Sequence, residues 1–114
     1  MESKPRTVRI YRTEEDSEPF SEWLNNLRDE KAIAVIQKRL VRVSLGNLGT
    51  YRFVGDGVFE FKIDYGPGYR VYFVQIGEVV LLILCGGDKS SPAKDIEQAK
   101  QYWTDFKNRE KINE

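Results

Sequence analysis

The segment from Tyr51 to Cys85 sets the tightest limit on what this chain can fold into. It holds four short apolar or alternating runs: Tyr51-Arg52-Phe53-Val54, Val58 to Tyr65, Tyr69 to Ile76 and Val79 to Cys85. Gly55-Asp56-Gly57, Gly66-Pro67-Gly68 and Gly77-Glu78 separate them, and turn residues so placed imply strands joined as antiparallel hairpins. The last run is apolar throughout, as expected for a strand inside a sheet.

The flanking sequence changes period. Thr7-Val8-Arg9-Ile10-Tyr11-Arg12 alternates apolar and polar residues and reads as a half-buried strand. The acidic turn Glu14-Glu15-Asp16-Ser17-Glu18 leads to Pro19, suited to a first helical position, after which Phe20, Trp23, Leu24 and Leu27 recur at helical spacing. A second helix is expected from Lys31 to Leu45. Its stripe is Ile33, Ile36, Leu40 and Val43, with Lys38, Arg39 and Arg42 mostly off it, and Gly46 or Asn47 takes the left-handed cap. Ser90-Ser91-Pro92 opens a final helix with its seam at Ile96, Ala99, Trp103 and Phe106; residues Lys107 to Glu114 form a polar end expected to fray. The order strand, two helices, β-meander, helix describes one small α+β domain spanning residues 1–114, with the helices on one sheet face and the other face open.

Composition narrows the chemistry. Eighteen Lys plus Arg cancel eighteen Asp plus Glu, so there is no global basic field, although a local patch is compatible with that balance. The absence of histidine removes Ser-His-Asp and Cys-His catalysis and most zinc sites. Carboxylates, Lys, Arg and Tyr remain, and neither a metal nor a cofactor is expected. One cysteine permits no internal disulfide, which fits a reducing cytoplasm. The longest apolar run, Val79 to Cys85, falls far short of the roughly 20 residues a bilayer requires, and the N-terminus lacks a signal peptide's apolar core, so a cytoplasmic chain with no membrane partner is expected.

Alternation then sorts side chains. In Val58 to Tyr65, taken as a central strand, Phe59, Phe61, Ile63 and Tyr65 share one face and Glu60, Lys62 and Asp64 the other. In its neighbour Arg70, Tyr72 and Val74 oppose Tyr69, Val71 and Phe73. A two-residue turn would put Arg70 among aromatic residues. An odd loop instead aligns Asp64 with Arg70, Lys62 with Tyr72 and Glu60 with Val74, and it is preferred because an unpaired buried guanidinium is strongly disfavoured. Glu60, Lys62, Asp64, Arg70 and Tyr72 then form a polar patch. One account makes it a solvated face of cross-strand ion pairs, worth about 0.2–1 kcal/mol each. The other makes it a shallow anion-binding surface in which Arg70 holds phosphate bidentately and Lys89 leans over it.

Gly86-Gly87 lacks Walker spacing and reads as a turn, Cys85 as a buried inert thiol, and Trp23 and Trp103 as core. Glu14 to Glu18 reads as a solvated helix entrance rather than a metal loop. Lys4, Arg6, Arg9 and Arg12, with Lys38, Arg39 and Arg42, would form a second positive surface if strand and helix lie close.

Several of these segments resemble a known family. Phe20-x-x-Trp23-Leu24-x-x-Leu27, Arg39-Leu40-x-Arg42, Gly46-Asn47-x-Gly49, Val54-Gly55-x-Gly57-Val58-x-Glu60, Gly66-Pro67-Gly68-Tyr69-Arg70-Val71-Tyr72-Phe73 and Gly86-Gly87-Asp88-Lys89 are similar to the HigB-type, "addiction module killer" branch of the RelE/ParE toxins. The resemblance covers about residues 8 to 105. It implies a RelE-like fold and the toxin of a type II toxin–antitoxin pair, a ribosome-dependent mRNA endoribonuclease that cleaves in the A site. It implies Lys62, Arg70 and Lys89 as catalytic residues; Arg52, Asp64, Tyr72, Lys38, Arg39 and Arg42, from the polar patch and the basic helix face, are the candidates for contacting RNA or ribosome. Implied partners are the ribosome, mRNA and a HigA-like helix-turn-helix antitoxin, in a dimer or heterotetramer. A ParE-like inhibitor of DNA gyrase, or a degenerate toxin kept for antitoxin binding and autoregulation, are the alternatives on the same fold. In-line attack of a 2′-OH needs a base, charge stabilisation and a proton for the leaving oxygen. Arg70 and Lys89 supply the charge stabilisation; Lys62 is one choice of base, Asp64 or Glu60 the other.

Overall fold

A computed structural model describes residues 4–110. The elements run β1 (Thr7–Ile10), α1 (Pro19–Asn25), α2 (Glu30–Ser44), β2 (Tyr51–Gly55), β3 (Val58–Ile63), β4 (Tyr69–Ile76), β5 (Val80–Asp88) and α3 (Pro92–Glu110). Pro19 starts α1. Asp29 starts α2, where its side chain accepts from the N–H groups of Lys31 and Ala32. Gly46, at φ +100°, takes the left-handed position past α2. Lys107 to Glu110, expected to fray, continue α3, while residues 111–114 lie outside the described residues.

The strands form one sheet in the order β1-β5-β4-β3-β2. β2 to β5 are an antiparallel meander, and β1 joins β5 in parallel, so the sheet is mixed. β4 occupies the middle; β3, expected there, lies one strand in from the edge.

The expectation of one open sheet face is corrected. On one face Phe20 and Leu24 of α1 and Ala32, Ile36 and Val43 of α2 pack over Phe61, Ile63, Val71, Phe73, Leu81 and Ile83. On the other, Ala99, Trp103 and Phe106 of α3 pack over Val58, Tyr72, Val74, Leu82 and Leu84. The reason lies in β4 and β5. Val71 to Val74 and Leu81 to Cys85 are buried at every position, so both faces are apolar and both need a cover. Leaving one bare would forfeit roughly 1.5–3 kcal/mol for each large side chain. A register shift between Tyr72 and Phe73 turns both Leu84 and Cys85 towards α3.

The turn expected at Gly86-Gly87 is also corrected, because both residues lie within β5. A Cβ on Gly86 would overlap the ring of Trp23, and one on Gly87 the carboxylate of Asp95. These glycines leave space at which α1 and α3 approach the strand from opposite sides.

Candidate functional site

The β3–β4 hairpin is odd, as the burial argument requires, but its pairing lies two residues from the expected one. Lys62 opposes Arg70, Glu60 opposes Tyr72 and Ile63 opposes Tyr69. Asp64 falls outside the strand. The chain turns as soon as β3 ends: the Tyr65 N–H donates to the Ile63 carbonyl at 3.1 Å and the Gly68 N–H to the Tyr65 carbonyl at 2.9 Å. Gly66 and Gly68 have φ of +57° and +89°, which suits glycine in so tight a loop. The face assignments survive, since a shift of two residues preserves them.

The loop walls a pocket of about 230 Å³ lined by Lys62, Asp64, Gly66, Pro67, Gly68, Arg70 and Lys89, among others. All three expected catalytic cations therefore meet in one concavity. Lys62 comes from β3, Arg70 from β4, and Lys89 from the turn after β5. Asp88 stiffens that turn by accepting from the Ser90 N–H at 2.8 Å and from its hydroxyl, bonds that hold the Asp88 carboxyl below the usual carboxylate range. The stem of Lys89 lies along Gly68, which a Cβ there would approach to 3.9 Å.

Lys62, Asp64 and Lys89 are exposed and form no ion pair among the described residues. The cross-strand pairing expected of a solvated face is absent at Lys62, whose direct partner, Arg70, carries the same charge. Like charges placed opposite each other destabilise a sheet unless an anion lies between or beside them. The Arg70 side chain is 17% exposed, with Nε 3.5 Å from Oε1 of Glu60.

Other candidates lie elsewhere. Tyr72, expected on an open surface, is fully buried beneath α3. Burial first, then the nearby Glu60 and Asp95 carboxylates, raise its pKa, so the hydroxyl keeps its proton. Glu60 is likewise buried and absent from the pocket lining. Arg52 reaches the pocket's flank only through Glu60, with its Nε 3.0 Å from Oε1. Arg39 sits across the sheet, its guanidinium 5.1 Å from the Phe61 ring centroid and bonded to the carbonyls of Lys62, Leu48 and Thr50. Lys38 and Arg42 are exposed on the same helix. The second basic surface is interrupted too, since Arg12 pairs with Glu18 at 2.7 Å.

Sequence reasoning missed two features beside the pocket. Asp95, in the first turn of α3, lies over Gly87 on the sheet face that carries Arg70, and burial raises its pKa, helped by Asp88. The Arg52–Glu60–Arg70 chain was legible in part, because a hairpin centred on Asp56 places Arg52 opposite Glu60. Cys85 matches its expected role: burial pushes the thiol up to about 12. No helix among the described residues is long and apolar enough to cross a membrane.

No family model matches the chain. A Haemophilus influenzae protein described only as uncharacterized is 48% identical over 81 residues, covering 71% of this chain and 82% of that protein. The chain belongs to the same family as that protein.

Proposed function

We propose that the protein is the toxin of a toxin–antitoxin pair, a ribosome-dependent endoribonuclease that cuts mRNA in the A site. The observation that carries this reading is the convergence of Lys62, Arg70 and Lys89 on one pocket, with only Asp64 as a countercharge at its wall. A chain whose formal charges cancel has concentrated cations where a phosphodiester would sit, and like charges held close favour a dianionic transition state over solvent. Arg70 and Lys89 stabilise the pentacoordinate phosphate as the 2′-OH attacks in line and the P–O5′ bond breaks, giving a 2′,3′-cyclic phosphate and a 5′-oxygen that takes its proton from solvent. Lys62 or Asp64, both exposed at the rim, takes the proton of the 2′-OH. Glu60 is excluded as that base, being 2% exposed and turned beneath Arg70. Mechanistically the ribosome's part is to present a kinked mRNA to a shallow site. A helix-turn-helix antitoxin neutralises the toxin by covering this basic concavity.

Primer extension on a defined mRNA carried by translating ribosomes tests the proposal. Cuts within A-site codons are expected with the wild-type protein and are lost with Arg70→Lys. Lys89→Ala, at an exposed position that leaves the fold intact, is expected to slow cleavage about 100-fold, in the range of one lost electrostatic contact to a transition state. Intact mRNA in the presence of folded wild-type protein overturns the nuclease reading. Inhibition of gyrase supercoiling would then identify a binding module on this fold.

A further inference from the structure

Glu60 is the buried charged residue among those described, at 2% exposure, and it sits on the sheet face that α3 covers. A carboxylate in an apolar layer is strongly unfavourable unless paired. Here Oε1 serves two arginines: it accepts from Nε of Arg52 at 3.0 Å and lies 3.5 Å from Nε of Arg70. The two arginines differ, because the Arg52 side chain is 64% exposed and that of Arg70 only 17%. Arg70 keeps Nε and Nη1 buried and without a hydrogen-bond partner, while its side chain lines the pocket. Lys62, directly opposite Arg70, repels it; Glu60, one step along the same face, attracts it.

We infer that Glu60 is the positioning residue of the anion pocket. From behind Arg70 it holds the guanidinium at the cavity against the repulsion of Lys62, and Arg52 balances its charge from the solvent side. Glu60 touches no substrate. Its anchoring deepens the nuclease reading, on which its relevance to phosphodiester recognition rests, but the anchoring itself is measurable without a ribosome.

The sign of the effect separates positioning from plain electrostatics. Glu60→Gln removes one negative charge beside the pocket, so a field effect alone would tighten anion binding. Positioning demands the reverse. Inorganic pyrophosphate, titrated by NMR, is expected to bind Glu60→Gln about tenfold more weakly than wild type, the scale of one lost ion-pair contact at the edge of solvent. In an Arg70→Lys background the same substitution is expected to change affinity less than twofold, since nothing is left to position. Equal or tighter binding by folded Glu60→Gln overturns the inference. Should that variant not fold, the wild-type spectrum decides: an anchored Arg70 gives a separate, slowly exchanging Nε–Hε signal that moves on pyrophosphate addition, and a signal averaged with the exposed arginines overturns it. In ribosome assays Glu60→Gln is expected to lower kcat more than it raises KM. Wild-type protein that binds pyrophosphate yet spares mRNA would refute the nuclease reading and leave the anchoring of Arg70 intact.

Discussion

Two arginines on opposite sides of β3 show how differently one sheet can use the same side chain. Arg39, reaching from α2, donates to three backbone carbonyls at 2.7–3.1 Å and stacks on Phe61. Its donors close the loop between α2 and β2 onto the sheet, and desolvation by burial lowers its pKa without taking it from the charged form. Arg70 has no such closure. Two of its nitrogens are buried without a hydrogen-bond partner, and its one ionic contact, Glu60, is at 3.5 Å. Both are partly buried guanidiniums with an unpartnered Nε, yet Arg39 spends Nη1 and Nη2 on three carbonyls, whereas Arg70 makes no hydrogen bond to the protein among the described residues and lines the pocket. How many terminal nitrogens the fold engages, rather than exposure, separates the two cations here.

Breaking the Arg39 side has the largest expected effect on stability. Arg39→Ala strips three carbonyls of their donor and is expected to lower unfolding free energy by about 3 kcal/mol in urea titration, while the folded fraction binds pyrophosphate as before. A parallel loss of pyrophosphate affinity would join the two sites and dissolve the contrast. Next in size is the pH response of the α3 face. Burial raises the Cys85 thiol from 9.0 to about 12, so its contribution is complete below pH 9 and lost as pH rises towards 12, because the unfolded thiol ionises first. By pH 10.5 this removes about 2 kcal/mol, and Cys85→Ala is expected to flatten that part of the profile relative to wild type.

Smaller still is Tyr72→Phe. It deletes a buried hydroxyl without a partner, so stability should hold or rise by up to about 1 kcal/mol, whereas a marked loss on calorimetry would show that the hydroxyl has a partner in solution. Least affected in stability is Lys89→Ala, within about 0.5 kcal/mol of wild type at an exposed site. The same substitution should reduce the slope of log affinity against log salt for a short RNA by about 0.7, and an unchanged slope would remove Lys89 from the pocket's working set.

Much of this was legible beforehand, and unevenly so. The flanking turns alone delimit β4 as Tyr69 to Ile76, because glycines break a strand whatever surrounds it. The meander, both long helices and the facing of Lys62 and Arg70 followed from period-two and period-3.6 patterns, which are local properties of the chain. The pairing of Lys62 with Arg70 did not follow, since loop length fixes parity while the turn's own hydrogen bonds decide how far the strands slide. Gly86 and Gly87 misled for a related reason. Their role is space for Trp23 and Asp95, and those residues are distant in sequence.

The order of residues alone carries the elements, their succession, the two-faced alternation and the placing of two cations, Lys62 and Arg70, on one face of one hairpin. Tertiary structure alone decided that α3 would close the second face, parallel pairing of β1 with β5 included, because burying two apolar sheet faces is a property of the assembled layers. That closure placed Glu60 and Tyr72 out of reach of solvent and left Lys62, Arg70 and Lys89 at the rim. The charges are written in the chain; which of them meets water depends on what packs above it.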